Sequence, residues 1–178
     1  MLVQAVLIVL LVDFLSGLVH WAEDTFWTER TPLVGRWIVA PNALHHVDGS
    51  AFVQRSWLAS SWDLALVGVL VLLACAATDH LGWQAWLLAA LGANANQFHK
   101  WAHAPRRSVP APVRWLQRAR LLQPPSHHAG HHRGAKNSRY CVVTVLLDPL
   151  LDGTGFWRGL EALLVPLLGA PRRADITA

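Results

Sequence analysis

Apolar residues run almost unbroken from Met1 to Val19, interrupted only by Gln4, Asp13 and Ser16. A stretch of about 20 such residues matches the hydrocarbon thickness of a bilayer, so the pattern predicts a spanning helix over 1–19. The stretch carries no Lys or Arg and runs directly into His20, Trp21 and Asp24, which predicts a retained helix rather than a cleaved leader. Two further apolar runs, 64–77 and 81–97, are separated only by Thr78, Asp79 and His80, the pattern of a helical hairpin. Trp57 and Trp62 flank one end of it and Trp83 and Trp86 the tip, as tryptophans do at membrane interfaces. The last apolar stretch, 142–168, is broken by Asp148, Pro149, Asp152, Gly153 and Gly155, which predicts an interfacial or re-entrant segment. Within it Phe156, Leu160, Leu163, Leu164 and Leu167 recur at helical spacing, with Arg158 and Glu161 elsewhere on the wheel.

Between hairpin and tail, 104–126 carries Pro105, Pro110, Pro112, Pro124 and Pro125 together with Arg106, Arg107, Arg114, Arg118 and Arg120. The positive-inside rule makes this a cytoplasmic linker. Trp115, Leu116, Ala119 and Leu122 supply the apolar face of a short amphipathic helix within it, with the arginines reaching lipid phosphates. The fold class expected is an all-α membrane protein of one domain over 1–178, with three to four transmembrane helices plus interfacial helices.

Composition supports lipid as the solvent. Hydrophobic residues make up 53% of the 178-residue chain and ten Trp stand against one Tyr and five Phe, with a mean hydropathy of +0.31. The net charge of +4 comes almost wholly from arginine. Those arginines alternate with prolines and leucines between apolar spans, which argues against a nucleic-acid surface. The only cysteines, Cys75 and Cys141, indicate neither a disulfide framework nor a thiolate site, so metal chemistry here uses nitrogen and oxygen.

Parity of the spans then places the histidines. One helix before the loop 20–61 and a two-helix hairpin after it put that loop and everything from His99 to Tyr140 on one side of the membrane. Nine of the ten histidines share that side: His20, His45, His46, His99, His103, His127, His128, His131 and His132. His80 sits alone at the opposite tip. Arginine content assigns the shared face to the cytoplasm.

Their spacing points ligands together. His20 and Asp24, and likewise His99 and His103, are four apart and project from one helix face. His127, His128, His131 and His132 combine spacings of three and four, while the adjacent His45 and His46 serve one metal each or act together from a loop. Nine imidazoles and a carboxylate exceed what one tetrahedral zinc needs and suit two metals. Imidazole alone fits zinc, copper, iron or nickel. Two irons are favoured because such centres activate dioxygen against unreactive C–H bonds, and this one borders helices fit to hold alkyl chains. A metal-binding protein without catalysis uses the same ligands. Asp13, inside the first helix, is a second layer around the metal, a helix contact, or an interfacial residue.

At these positions the sequence resembles the Kua-type lipid desaturase family, which takes in plasmanylethanolamine desaturases and a plastid desaturase acting on phosphatidylglycerol. The likeness runs through Asp13-Phe14, Ser16-Gly17, His20-Trp21 with Asp24-Thr25, Val34-Gly35, His45-His46 with Asp48, and Asn96-Gln97 followed by His99-Lys100-Trp101 and His103. It continues through Leu116-Gln117, the block from His127 to His132, Tyr140-Cys141 with Thr144, and Phe156-Trp157-Arg158 with Leu160-Glu161. Asp48 is followed here by Gly49 where the family usually has proline, and Val145-Leu146-Leu147 stands where plasmalogen enzymes carry Gly-Trp; both departures touch substrate choice.

The resemblance implies an iron- and dioxygen-dependent enzyme that removes two hydrogens from a membrane lipid, plasmanylethanolamine to the plasmalogen vinyl ether being favoured. Its electrons would come from a donor such as cytochrome b5 or ferredoxin with its reductase. The family pattern carries the metal-binding role onto His20, Asp24, His45, His46, His99, His103, His127, His128, His131 and His132. Lys100, Arg106, Arg107 and Arg114 are candidate anchors for the lipid headgroup phosphate. Hydroxylation of the lipid by the same site is the alternative chemistry.

Overall fold

The computed structural model describes residues 1–133 and 136–169. Among these, ten α-helices form and no strand does. In chain order they are α1 (Leu2–Thr25), α2 (Ala40–Val47), α3 (Gly49–Gln54), α4 (Trp57–Ala77), α5 (Trp83–Ala93), α6 (Ala95–His103), α7 (Ala111–Arg118), α8 (Pro125–His131), α9 (Asp148–Gly153) and α10 (Phe156–Leu168). A π-helical turn, Gly35–Val39, leads into α2, and a 3-10 turn, Arg106–Ser108, precedes α7.

The first helix outruns the apolar stretch that predicts it. At 24 residues it is about 36 Å long, enough to cross a hydrocarbon core and still carry His20 and Asp24 beyond the apolar part. Its outer stripe, Leu7, Leu11, Leu15 and Val19, is exposed. Only 17% of its most apolar window is buried inside the protein, and the same holds for α4, so neither resembles the core helix of a soluble fold. These are the two helices, among the described residues, long and apolar enough to cross a membrane.

The third apolar run is split. Asn94 leaves helical geometry at φ −103° and ψ 7°, its Nδ2 donating to the Ala90 carbonyl at 2.8 Å and its Oδ1 accepting from Trp57 Nε1 at 3.0 Å. A side chain that bonds its own helix and a neighbour offers the backbone an alternative to the helical ladder. The run therefore becomes two stacked helices, α5 and α6, and α5 alone, at 11 residues, spans only about 16 Å. The predicted hairpin is present, α5 packing between α4 and α1.

The tail also departs from a single amphipathic element. Tyr140 to Thr144 is non-helical yet almost wholly buried, so its backbone polar groups need partners inside the protein. Side chains supply them. Asp13 Oδ1 accepts from the Val143 and Thr144 amides at 2.8 and 3.1 Å. Gln123 Nε2 donates to the Cys141 carbonyl at 2.6 Å, Asp148 Oδ1 accepts from the Cys141 amide at 3.1 Å, and His20 Nδ1 meets the Tyr140 carbonyl at 3.0 Å. Asp13 is thus a helix-to-chain contact, one of the roles its position leaves open. In α10, Trp157 and Glu161 are buried and Leu160 and Leu164 pack inward around Trp21, while Leu163 and Leu167 face outward. The helix α7 turns Val113 and Gln117 inward, and Trp115 stands exposed.

One face of α1 organises this packing. Asp13, Gly17, His20 and Asp24, spaced four, three and four, form a continuous buried stripe. At Gly17 a Cβ would lie 3.0 Å from Cys141 Sγ and 3.3 Å from its amide, so even an alanine would push the buried segment back by a few tenths of an ångström. Replacing Asp13 by Ala orphans two buried amides and is expected to destabilise the protein by on the order of 3 kcal/mol. Thermal unfolding in detergent checks this, with a clearly lowered midpoint expected for Asp13→Ala.

Candidate metal centre

Four elements deliver ligands to one end of the helical bundle. The end of α1 supplies His20 and Asp24, α2 supplies His45 and His46, α6 supplies His99 and His103, and α8 with its last cap supplies His128, His131 and His132. They sort into two groups, His45, His99, His103, His128 and His132, and His20, Asp24, His46 and His131; within each group the ligand atoms lie within 4.8 Å of one another. Adjacent residues of one helix diverge, which is why His45 and His46 fall into different groups. His80 is exposed at the far tip of the α4–α5 hairpin.

The contacts inside the first group are not a hydrogen-bond network. His128 Nε2 lies 2.8 Å from His99 Nε2, 2.8 Å from His103 Nε2 and 2.9 Å from His132 Nε2. A single ring nitrogen carries one proton or one lone pair, so it satisfies one such contact and not three. A shared cation satisfies all of them.

In the second group, Asp24 Oδ2 stands 3.1 Å from His131 Nε2 and 3.5 Å from His20 Nε2. Asp24 Oδ1 accepts from Asn42 Nδ2 at 2.7 Å and lies 3.0 Å from His46 Nε2.

Backbone carbonyls set the tautomers. His20 Nδ1 faces the Tyr140 carbonyl at 3.0 Å, His131 Nδ1 the Ser138 carbonyl at 2.7 Å, and His45 Nδ1 the Asn42 carbonyl. With each Nδ1–H donating outward, the Nε2 lone pairs point into the site, as they do in metal-ligating histidines. The Nε2 atoms of His20, His45 and His131 are buried without a hydrogen-bond partner. Burial, reinforced by neighbouring imidazoles, holds His103 down to about 4 and His132 to about 2. Both rings are therefore neutral, the metal-binding form, at neutral pH. The chemistry of this donor set, nitrogen-rich with one carboxylate, fits two first-row transition metals.

His127 lies outside both groups, its Nε2 2.7 Å from Asp148 Oδ2. Because Asp148 also holds the Cys141 amide, His127 joins α8 to the buried segment. Gly49 abuts the site: a Cβ there would lie 2.7 Å from His103 Nδ1. The four candidate headgroup anchors do not line the cavity that meets the histidines. Lys100 is buried, its Nζ donating to the Arg55 and Ser56 carbonyls at 2.7 and 3.3 Å. Arg114 donates to the Val109 carbonyl, and Arg106 and Arg107 are exposed on the 3-10 turn.

A model of the lipid desaturase domain family matches residues 9–175, nearly the whole chain. The chain belongs to the lipid desaturase domain family. This desaturase domain is 35% identical to mouse plasmanylethanolamine desaturase 1 over 93% of the chain and 65% of that protein. It is 34% identical to the Myxococcus xanthus plasmanylethanolamine desaturase over 100% of the chain and 66% of the relative. To the Arabidopsis thaliana chloroplastic fatty acid desaturase 4-like 2 it is 32% identical, covering 93% of the chain and 60% of that protein. The chain thus spans slightly less than two thirds of the length of these curated relatives. No solved structure matches it.

Sequence spacing does not reveal Asn42, which orients Asp24 through its amide and His45 through its carbonyl, although its place three residues before His45 puts it on that helix face. The two histidines of α8's start are expected to behave differently. His128→Ala should lower the metal content per chain, whereas His127→Ala should leave it at the wild-type level. Elemental analysis of the purified variants reads the difference.

Proposed function

We propose that this chain is a single membrane-embedded lipid desaturase unit that introduces a double bond into a lipid alkyl or acyl chain. The observation that carries the proposal is a cavity of about 280 Å³ whose mainly apolar walls end on His20, His45 and His99. Three helical faces build it. Val12, Leu15, Ser16 and Val19 come from α1, Leu64, Val67, Gly68 and Val71 from α4, and Leu88, Ala89, Gly92, Ala95 and Asn96 from α5 and α6. Leu15, Val19 and Val67 line the slot and are also exposed, so a chain can enter sideways from the bilayer. His20 belongs to one ligand group, and His45 and His99 to the other. A methylene pair at the end of the slot therefore lies beside both groups.

Two iron ions held by these residues would supply reductive activation of dioxygen. The overall change converts R–CH2–CH2–R′ to R–CH=CH–R′. Dioxygen takes two electrons from the lipid and two from an external donor, a cytochrome b5 or ferredoxin with its reductase. Two hydrogens from the lipid and two protons complete two waters. The protein's own part is to hold the chain, exclude bulk water with the Phe52 ring packed 5.1 Å from His99 and 5.5 Å from His45, and keep the imidazoles oriented through their carbonyl partners. The named activity of the mouse and Myxococcus relatives favours plasmanylethanolamine as substrate, giving a vinyl ether. The arginines that follow His103 in sequence favour a cytoplasmic histidine face.

Lipid extracts from cells expressing the wild-type chain are expected to contain a new unsaturated lipid that is absent with His45→Ala. Hydroxylated lipid in its place would move the assignment to hydroxylation, and no lipid change would leave a metal-binding protein. The slot has its own test. A Cβ at Gly92 meets nothing within 4 Å, so Gly92→Phe should project a ring into the chain's path. It is expected to lower product by roughly 10-fold or more while metal content stays at the wild-type level.

A further inference from the structure

The cavity lining also holds charged groups that metal binding and chain packing leave unused. Glu23 and Asp63 both line it and lie close enough to repel one another. Glu23 is only 9% exposed. Neither carboxyl has a hydrogen-bond or ion-pair partner among the described residues. On the same lining, Arg55 spends one Nη on the Ala59 carbonyl, while its Nε is buried without a partner. Two mutually repelling carboxyls and an unsatisfied guanidinium N–H on the lining of one lipid-facing cavity are costly as they stand. Together they complement a ligand that carries both an ammonium and a phosphate.

We propose that Glu23, Asp63 and Arg55 form the headgroup site for a zwitterionic amine phospholipid, with the carboxyls taking the ammonium and Arg55 the phosphate. This rests on the desaturase reading and assigns the residues that select the headgroup. The site also bears on where the double bond forms. Glu23 is one turn beyond His20 on α1, and Asn42 and His45 line the same cavity. A headgroup held there brings the first carbons of its chain, rather than the middle, to the histidines. A primary ammonium donates three hydrogen bonds and suits a carboxyl pair, whereas a headgroup ending in hydroxyls offers no charge to it.

Binding to the purified full-length chain in lipid nanodiscs tests the site apart from catalysis. Trp37 and Trp62 line the cavity and report occupancy through their fluorescence. The probes are 1-O-alkyl lysophospholipids with phosphoethanolamine or phosphoglycerol headgroups. Wild type is expected to prefer the ethanolamine probe, and Glu23→Gln with Asp63→Asn to lower the ratio of the two affinities by roughly 10-fold. A wild-type ratio near one, or a ratio unchanged in the double variant, overturns the proposal. Equal loss of both probes also overturns it, because it assigns the carboxyls a structural role. Failure of the desaturase reading shows separately, as an absence of new lipid double bonds in cells while the binding preference persists.

Discussion

Eight imidazoles and one carboxylate meet at one end of this helical bundle with their lone pairs turned toward one another. Proton sharing does not relieve that arrangement, because His128 Nε2 has three nitrogen neighbours within 2.9 Å and one position for a hydrogen. Positive charge at the centre of each group does. The rest of the structure is arranged around this requirement: backbone carbonyls fix the tautomers of His20, His45 and His131, and burial holds His103 and His132 in the neutral form. The cost of gathering so many unsatisfied acceptors would be recovered on binding metal, which would couple the fold to its ligands.

A single helix face links that centre to the remainder of the chain. Along α1 the stripe Asp13, Gly17, His20 and Asp24 faces inward while Leu7, Leu11, Leu15 and Val19 face outward. Asp13 holds the amides of a buried, non-helical segment, Gly17 lets it approach, and His20 bonds its first carbonyl before turning Nε2 to the site. The stretch from Tyr140 to Thr144 thus acts as a strut between the apolar helices and α8, braced further by Asp148 through His127 and the Cys141 amide.

Helical periodicity made the ligand pairs legible, since i,i+4 spacing on α1 and α6 survives any tertiary arrangement, and span parity located their common end. Adjacent His45 and His46 were ambiguous because a helix sends neighbours apart, and here it sends them to different groups. His127 resembled its neighbours in sequence, but pairing with Asp148 depends on how a distant, irregular segment packs. The break at Asn94 was hidden for the same reason: its partner Trp57 is 37 residues away. Glu23, Asp63 and Arg55 come from three segments and line one cavity only once α1 and α4 are placed. The outward face of Leu163 and Leu167 likewise follows from α10 packing on Trp21 and not from its periodicity alone.

The central claim is that two metals occupy two separate ligand groups. Anomalous scattering at the iron edge, from crystals of protein purified with iron, reads this directly. The account predicts two peaks, one among His45, His99, His103, His128 and His132, and one among His20, Asp24, His46 and His131. A single peak, or iron bound away from these residues, would contradict it.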